Sequence, residues 1–227
     1  PGIVHAVTGL LLKHHGDNEY SLAGVPLRVQ FLGLFDTVAS VGLANSSPLW
    51  RGLGGWGNGT MCIAPNVERT LHLVAAHEIR TNFPLSCGRS GSRYPTNIAE
   101  RVYPGAHSDV GGGYMPGDQG KSNGNRSKLL SQIPLNDMYN EARAAGAPLQ
   151  SDTELRATDQ GRAIAADLQI DPETAYLFNA YRHWRPVEAG LSVEETLKRH
   201  MCNYWYWRLR YMDKLFELMS YEKAGDQ

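Results

Sequence analysis

Two residues of this sequence have the types and surroundings of a catalytic acid and a catalytic base. Asp36 ends an apolar run, residues 25–35, that predicts a buried strand. His107 follows a second strand-like run, residues 98–103, and has glycines on both sides. Histidine is the usual base in ester hydrolysis because its ordinary pKa lies near neutrality, and a carboxylate on its other ring nitrogen fixes the tautomer. We therefore predict that Asp36 orients His107.

The positions of these two residues along the chain predict the fold that brings them together. Open α/β sheets place their active sites at the carboxyl ends of the strands, and Asp36 and His107 each follow a strand-like run. The order Asp before His is that of the Ser–Asp–His triad in α/β hydrolases. We expect an α/β fold with a mostly parallel, hydrolase-like sheet. The carboxylate and a ring nitrogen should then lie about 2.6–3.2 Å apart.

Three neighbours of His107 are predicted to support its loop. Ser108, Asp109 and Gly111 lie within the four residues that follow the histidine. Short polar side chains hydrogen-bond the backbone of turns, and glycine permits tight ones. Asp109 is therefore interpreted as a residue that hydrogen-bonds the loop.

The nucleophile of such a hydrolase is unknown in this chain. No Gly-x-Ser-x-Gly pattern precedes Asp36, although the nucleophile comes first in the chain order of α/β hydrolases. The run Gly88-Arg89-Ser90-Gly91 is one residue too short and lies between the acid and the base. We expect the serine upstream, in a missing N-terminal part that also carries the nucleophile elbow. The opening Pro1-Gly2, with no methionine and no signal peptide, agrees with a fragment.

Composition excludes several other classes of protein. The 22 basic and 23 acidic residues give a formal net charge of −1, which predicts no attraction to nucleic acid. Cys62, Cys87 and Cys202 form no Cys-x-x-Cys pair, which argues against a thiolate zinc site or a disulfide scaffold. No apolar run approaches the ~18–20 residues that span a bilayer. We expect an ordinary globular chain that needs no metal and no cofactor.

Helical periodicity appears between the two candidate residues. Apolar side chains from Asn66 to Ile79 recur at helical spacing and predict an amphipathic helix. The run from His77 begins like a zinc-protease motif, but no second histidine follows four residues later. Glu78 and Arg80 are interpreted as partners in a structural ion pair.

The second half of the chain has the signals of successive helices. One helix should end near Ala145, and Asp171-Pro172 should begin another. The capping box that starts at Ser192 should open a helix that continues toward Met219. We predict that residues 1–150 are the C-terminal portion of a hydrolase domain and that residues 151–227 are all-helical, forming a lid or a membrane-contacting region.

Three blocks of sequence carry a family resemblance. Residues 35–42 (Phe-Asp-Thr-Val-Ala-Ser-Val-Gly), His77-Glu78-Ile79-Arg80 with Phe83, and residues 104–114 (Pro-Gly-Ala-His-Ser-Asp-Val-Gly-Gly-Gly-Tyr) occur in this order. Together they resemble the catalytic domain of the type VI secretion phospholipase effectors, the Tle1-like class. That resemblance implies an α/β-hydrolase fold with a serine in an elbow upstream of the Asp-Thr block. It places the triad acid at Asp36 and the triad histidine at His107.

The resemblance also implies a biological setting. The substrate would be membrane phospholipid, and the protein would be an antibacterial toxin. It would be made in the bacterial cytoplasm and exported into the periplasm of a rival cell. Its partners would be a secretion-spike protein, an immunity protein and the missing N-terminal part of the same polypeptide.

Two other functions fit the same residues. Asp36, His107 and Asp109 could together hold a zinc or manganese ion in a metal-dependent hydrolase. The chain could instead be a binding module that keeps the fold without the chemistry. A lipid-facing role for the last helix is also open, because tryptophan, tyrosine and basic residues favour the membrane interface.

Overall fold

The structure of the protein is a computed structural model, and it describes a defined set of residues. These are residues 13–14, 20–22, 25–38, 63–64, 66–80, 83, 85–88, 94–118, 125–184, 190–212 and 214. Apolar side chains of residues 3–12 recur at helical spacing and predict a helix, but these residues lie outside this set. The predicted end of the last helix near Met219 also lies outside it.

A small antiparallel sheet begins the described chain. Its strands are β1 (Lys13–His14), β2 (Tyr20–Leu22) and β3 (Val25–Leu27), in the order β1-β2-β3. The run of residues 25–35, predicted as one strand, therefore divides, because its second half enters a different sheet as β4 (Leu32–Phe35). Pro26 has no amide hydrogen to donate, so it suits an edge strand such as β3.

The second sheet is parallel and places the candidate residues. It contains β4, β5 (Thr70–Ala75) and β6 (Ile98–Tyr103), in that order. Asp36 follows β4 by one residue, and His107 follows β6 by four. The carboxyl ends of both strands lie at the same edge of the sheet.

The helix predicted over residues 66–79 is wrong, because its centre is the strand β5. Every residue of β5 is buried, as expected for a central strand covered on both faces. Such a strand is apolar at nearly every position, and a continuous apolar run also satisfies helical spacing. Periodicity alone cannot separate these two cases.

Seven helical segments follow the sheet strands or connect to them. They are α1 (His107–Gly111), a 3-10 turn (Arg126–Lys128), α2 (Gln132–Ala144), α3 (Asp152–Arg156), α4 (Asp159–Asp167), α5 (Pro172–Trp184) and α6 (Val193–Arg210), all within the described ranges. The predicted helix starts are confirmed at Asp171, which accepts from the amides of Glu173 and Thr174, and at Ser192, which forms a capping box with Glu195. Gly146 ends α2 with a φ of 92°.

The main core joins the sheet to the helices. Leu71, Leu73, Ala75, Tyr103, Val110, Ile133 and Met138 are buried together, and Phe35 and Phe178 pack against them. Val110 belongs to α1, so the core anchors the short helix that begins with His107. The molecule is a mixed α/β structure with a parallel sheet and packed helices. Among its described helices, none has the length and hydropathy of a membrane span.

Leu73→Ala should destabilise this core. The side chain is fully buried in β5, and truncating such a leucine leaves a cavity as well as losing apolar contacts. We expect the free energy of unfolding to fall by about 2–5 kcal/mol in urea titrations. Leu177→Ala, at an exposed position of α5, should change it by less than about 0.5 kcal/mol. Equal effects of the two substitutions would contradict this description of the core.

Candidate active site

Asp36 lies in a strained turn at the end of β4. It is the single non-glycine residue with positive φ among those described, at 36°. Its amide donates to the carbonyl of Leu73 at 2.6 Å, and its Oδ1 accepts from the amide of Ala75 at 2.8 Å. The residue is 3% exposed. Both bonds reach β5, so the neighbouring strand fixes the direction of the carboxylate.

His107 meets this carboxylate from α1. The distance from His107 Nδ1 to Asp36 Oδ2 is 2.7 Å, within the range expected from the sequence. An ionised carboxylate only accepts hydrogen bonds, so we assign the ring proton to Nδ1. This leaves Nε2 as the basic nitrogen, on a side chain that is 27% exposed while the carboxylate is 4% exposed. The carboxylate of the pair is therefore buried and oriented, and the imidazole is partly exposed.

The segment around His107, predicted as a loop, is partly helical. His107–Gly111 forms α1, with Val110 buried and Asp109 Oδ2 accepting from the amide of Ala106 at 2.8 Å. Asp109 therefore hydrogen-bonds the turn directly before His107. Gly105 is needed in this turn, because it has a φ of 110° and an added Cβ would lie 2.4 Å from Asp109 Cβ.

The other two supporting residues have different surroundings. Ser108 lies in the first turn of α1 and is half-buried. Gly111 ends α1 and is exposed, and an added Cβ there would meet no atom within 4 Å. Packing therefore does not require a glycine at position 111.

Glu78 and Arg80 form the predicted ion pair, and Glu78 also contacts the histidine segment. Arg80 Nε and Nη2 donate to the Glu78 carboxylate at 2.8 and 2.6 Å. Glu78 Oε2 also accepts from the amide of His107 at 3.1 Å. Burial raises the pKa of Glu78, but the bonds from Arg80 and His107 outweigh it and lower the pKa to about 2. Glu78 is therefore a charged anchor for the start of α1.

This anchor predicts a specific loss of stability in acid. A carboxyl whose pKa is about 2 in the folded protein, against an ordinary value of 4.5, stabilises the fold above about pH 4.5. That contribution is lost as the pH falls from 4.5 to 2. Glu78→Gln should flatten the dependence of the melting temperature on pH in this window. Glu68→Gln, at an exposed pair with Arg28, should leave it unchanged; equal flattening by both would argue against the anchor.

His77 is held neutral on the side of the turn that faces the helices. Its Nδ1 accepts from the amide of Gly105 at 3.1 Å, and its Nε2 lies 3.2 Å from the Tyr181 hydroxyl on α5. Burial and the neighbouring His200 lower the pKa of His77 to about 4. His77 thus connects the helices to the turn before His107 without carrying charge at neutral pH.

The metal-dependent alternative lacks its ligand set. No three His, Cys, Asp or Glu side chains converge as metal ligands among the residues that the structure describes. Asp109 hydrogen-bonds Ala106, whereas Asp36 hydrogen-bonds His107 and Ala75. The three residues suggested as joint ligands therefore do not form a metal site.

Two features were missed by the sequence reasoning. Residues 120–124, Gly-Lys-Ser-Asn-Gly, fit the Gly-x-Ser-x-Gly pattern, but they follow His107 and lie outside the described residues. The sequence directly before them is polar and glycine-rich, whereas a nucleophile elbow follows a strand. The second feature is a buried pair, His72 and Glu100, which only the pairing of β5 with β6 brings together.

Comparison with known proteins places the chain in a family. Residues 13–141 match the family model described as the catalytic domain of the Tle1-like type VI secretion phospholipase effectors. The chain is also similar to a solved structure, the crystal structure of an uncharacterized protein from Pseudomonas aeruginosa. The sequence identity is 34%, the TM-score is 0.74, and the match covers 92% of this chain. A search of curated proteins finds no significant match. The chain spans 30% of the length of that solved protein. By its match to the family model, this chain belongs to the family of Tle1-like type VI secretion phospholipase effectors.

Proposed function

We propose that this chain supplies the acid and the base of a serine-type phospholipase. The observation that carries the proposal is the 2.7 Å contact between His107 Nδ1 and Asp36 Oδ2 at the carboxyl edge of a parallel sheet. In an α/β hydrolase this is the position of the triad acid and histidine. The family of phospholipase effectors indicates a lipid ester as the substrate.

The geometry suits the two proton transfers of ester hydrolysis. His107 Nε2 takes the proton of a serine hydroxyl as the serine oxygen attacks the ester carbonyl, and it returns that proton to the departing alcohol. Water then attacks the acyl-enzyme by the same route and releases the fatty acid. Asp36 keeps the proton on Nδ1 and stabilises the imidazolium that forms in each half-reaction. Because Asp36 is itself fixed by Ala75, the ring needs little reorientation.

The nucleophile in this proposal comes from polypeptide upstream of residue 1. The Ser–Asp–His order of α/β hydrolases supports this position, and the solved relative is long enough to contain such a segment, since this chain spans 30% of it. Residues 1–150 would then complete the hydrolase domain, and residues 151–227 would be its helical extension. Ser122, within the Gly-x-Ser-x-Gly run of residues 120–124, is the competing candidate inside the chain.

The surface of α6 supports contact with lipid. This helix buries Thr196 and His200, whereas Trp205 and Leu209 are 47% and 65% exposed. The large apolar side chains of α6 are therefore not all buried against the rest of the described chain. Exposed tryptophan and tyrosine next to arginine are typical of surfaces at the membrane interface. We propose that the protein acts at the envelope of a target cell after secretion, with a spike protein and an immunity protein as partners.

Hydrolysis of phospholipid vesicles by the complete polypeptide tests this function. We expect fatty acid release that survives Ser122→Ala and survives a strong chelator, since the mechanism uses neither Ser122 nor a metal ion. Loss of activity with Ser122→Ala would move the nucleophile into this chain. Loss with the chelator would restore the metal-dependent reading, and no release from any phospholipid would favour the binding module.

A further inference from the structure

A second histidine–carboxylate pair lies inside the parallel sheet. His72 on β5 and Glu100 on β6 occupy paired positions, and His72 Nδ1 lies 2.8 Å from Glu100 Oε1. Both side chains are almost completely buried, at 0% and 2% exposed. Burying a carboxylate, even one that is hydrogen-bonded to a neutral histidine, costs desolvation energy that apolar side chains of similar volume would not cost. The pair is therefore expected to do something that apolar residues could not do.

The hydrogen bond made by the other ring nitrogen of His72 indicates the role of this pair. His72 Nε2 accepts from the amide of Thr37 at 3.0 Å, so its proton must lie on Nδ1 and donate to Glu100. Burial raises the pKa of Glu100, but hydrogen bonds from His72 and from the amide of Gly88 outweigh it and lower the pKa. An ionised Glu100 fixes the His72 tautomer, and that tautomer presents a lone pair to Thr37.

Thr37 is the residue immediately after the strained turn at Asp36. A residue with positive φ and a side chain keeps that conformation only when its surroundings determine it. The carboxylate of Asp36 is held by Ala75, and the chain after it is held by two bonds: the Thr37 amide to His72, and the Ser86 amide to the Thr37 carbonyl. Of the two hydrogen bonds made by Thr37, the one from its amide to His72 lies closer along the backbone to the Asp36 turn.

We propose that His72 and Glu100 are positioning residues for the Asp36–His107 pair. Glu100 orients His72, His72 holds the Thr37 amide, and this tether fixes the Asp36 turn so that its carboxylate meets His107. The inference deepens the proposed function, on which its catalytic consequence rests. Neither residue touches the reacting atoms, so both act through the backbone of the acid.

A matched pair of substitutions separates this role from packing. In His72→Asn the shorter amide can still donate to Glu100 but cannot reach Thr37. In His72→Gln the side-chain oxygen can reach the former position of Nε2 and accept from Thr37. Leu71→Ala, the neighbouring buried residue of β5, serves as a control for loss of core stability without loss of the tether.

The first measurement, amide hydrogen exchange, does not depend on enzymatic activity. Hydrogen–deuterium exchange of the Thr37 amide in this chain should speed up about tenfold or more in His72→Asn, because the amide loses its acceptor, and should stay slow in His72→Gln. In the complete protein, His72→Asn should lower kcat about 10–100-fold with KM nearly unchanged, as loss of an orienting partner does at other sites. His72→Gln should recover most of kcat.

Three results would overturn the proposal. These are unchanged Thr37 exchange in His72→Asn, failure of His72→Gln to recover kcat, and a fall in kcat with Leu71→Ala as large as that with His72→Asn. The exchange experiment stands even if the proposed function fails. If His107→Ala left hydrolysis intact, the catalytic pair would be wrong, while the Thr37 exchange would still decide whether the tether exists.

Discussion

His107→Ala is expected to reduce phospholipid hydrolysis by the complete protein at least about a thousandfold. Without the imidazole, no group accepts the serine proton, and the buried carboxylate of Asp36 has nothing to orient. The melting temperature should change little, because the His107 ring is partly exposed and water can replace its bond to Asp36. The measurement is the initial rate of fatty acid release, with thermal unfolding of the same preparation.

Two outcomes would contradict this prediction. Residual activity within about tenfold of the wild-type rate would exclude His107 as the base, since such bases contribute at least about a hundredfold. A large loss of stability with a small loss of activity would make His107 a structural histidine. Its contacts with Asp36 and Glu78 would then serve only to hold α1 against the sheet.

Asp36→Asn should lower kcat by about a thousand- to ten-thousand-fold. Asparagine can keep the oxygen that accepts from the Ala75 amide, so the turn should survive. Its amide group would then face His107 Nδ1, where two donors cannot pair, and the ring proton would move to Nε2. A histidine protonated at Nε2 cannot accept the proton of the nucleophile. KM should change little, because Asp36 is buried away from substrate.

A matched carboxylate provides the control for Asp36→Asn. Asp137 accepts a hydrogen bond from the Tyr103 hydroxyl at 2.6 Å, outside the Asp36–His107 pair. Asp137→Asn should leave kcat within about twofold of wild type. Asp36→Ala should additionally lower stability by about 1–3 kcal/mol, because the buried Ala75 amide would lose its acceptor. Similar kinetics for Asp36→Asn and Asp137→Asn would contradict the orienting role of Asp36.

Local patterns gave the helix starts and the positions of the two central residues. Asp171 and Ser192 were predictable because a cap is a short-range hydrogen bond between neighbours in sequence. Asp36 and His107 were predictable because each follows a recognisable strand and lies in a motif. The proximity of their side chains in the fold could be expected, because active sites in such sheets lie at the carboxyl ends of the strands.

The central strand and the buried pair needed the tertiary structure. The sequence of β5 predicts a helix because burial on both faces removes the alternation that marks a strand. His72 and Glu100 could not be paired without the register of β5 against β6, which depends on contacts between segments about 30 residues apart. The bond from Glu78 to the amide of His107 was missed for the same reason.

The most direct test of the Asp36–His107 assignment is covalent labelling of the complete protein with a fluorophosphonate, followed by peptide mass spectrometry. We predict one adduct, on a serine upstream of Asp36, and loss of that adduct in His107→Ala, because the probe reacts only with a serine that a base activates. An adduct that persists without His107 would contradict the account. Failure of an active enzyme to react with the probe would contradict it as well.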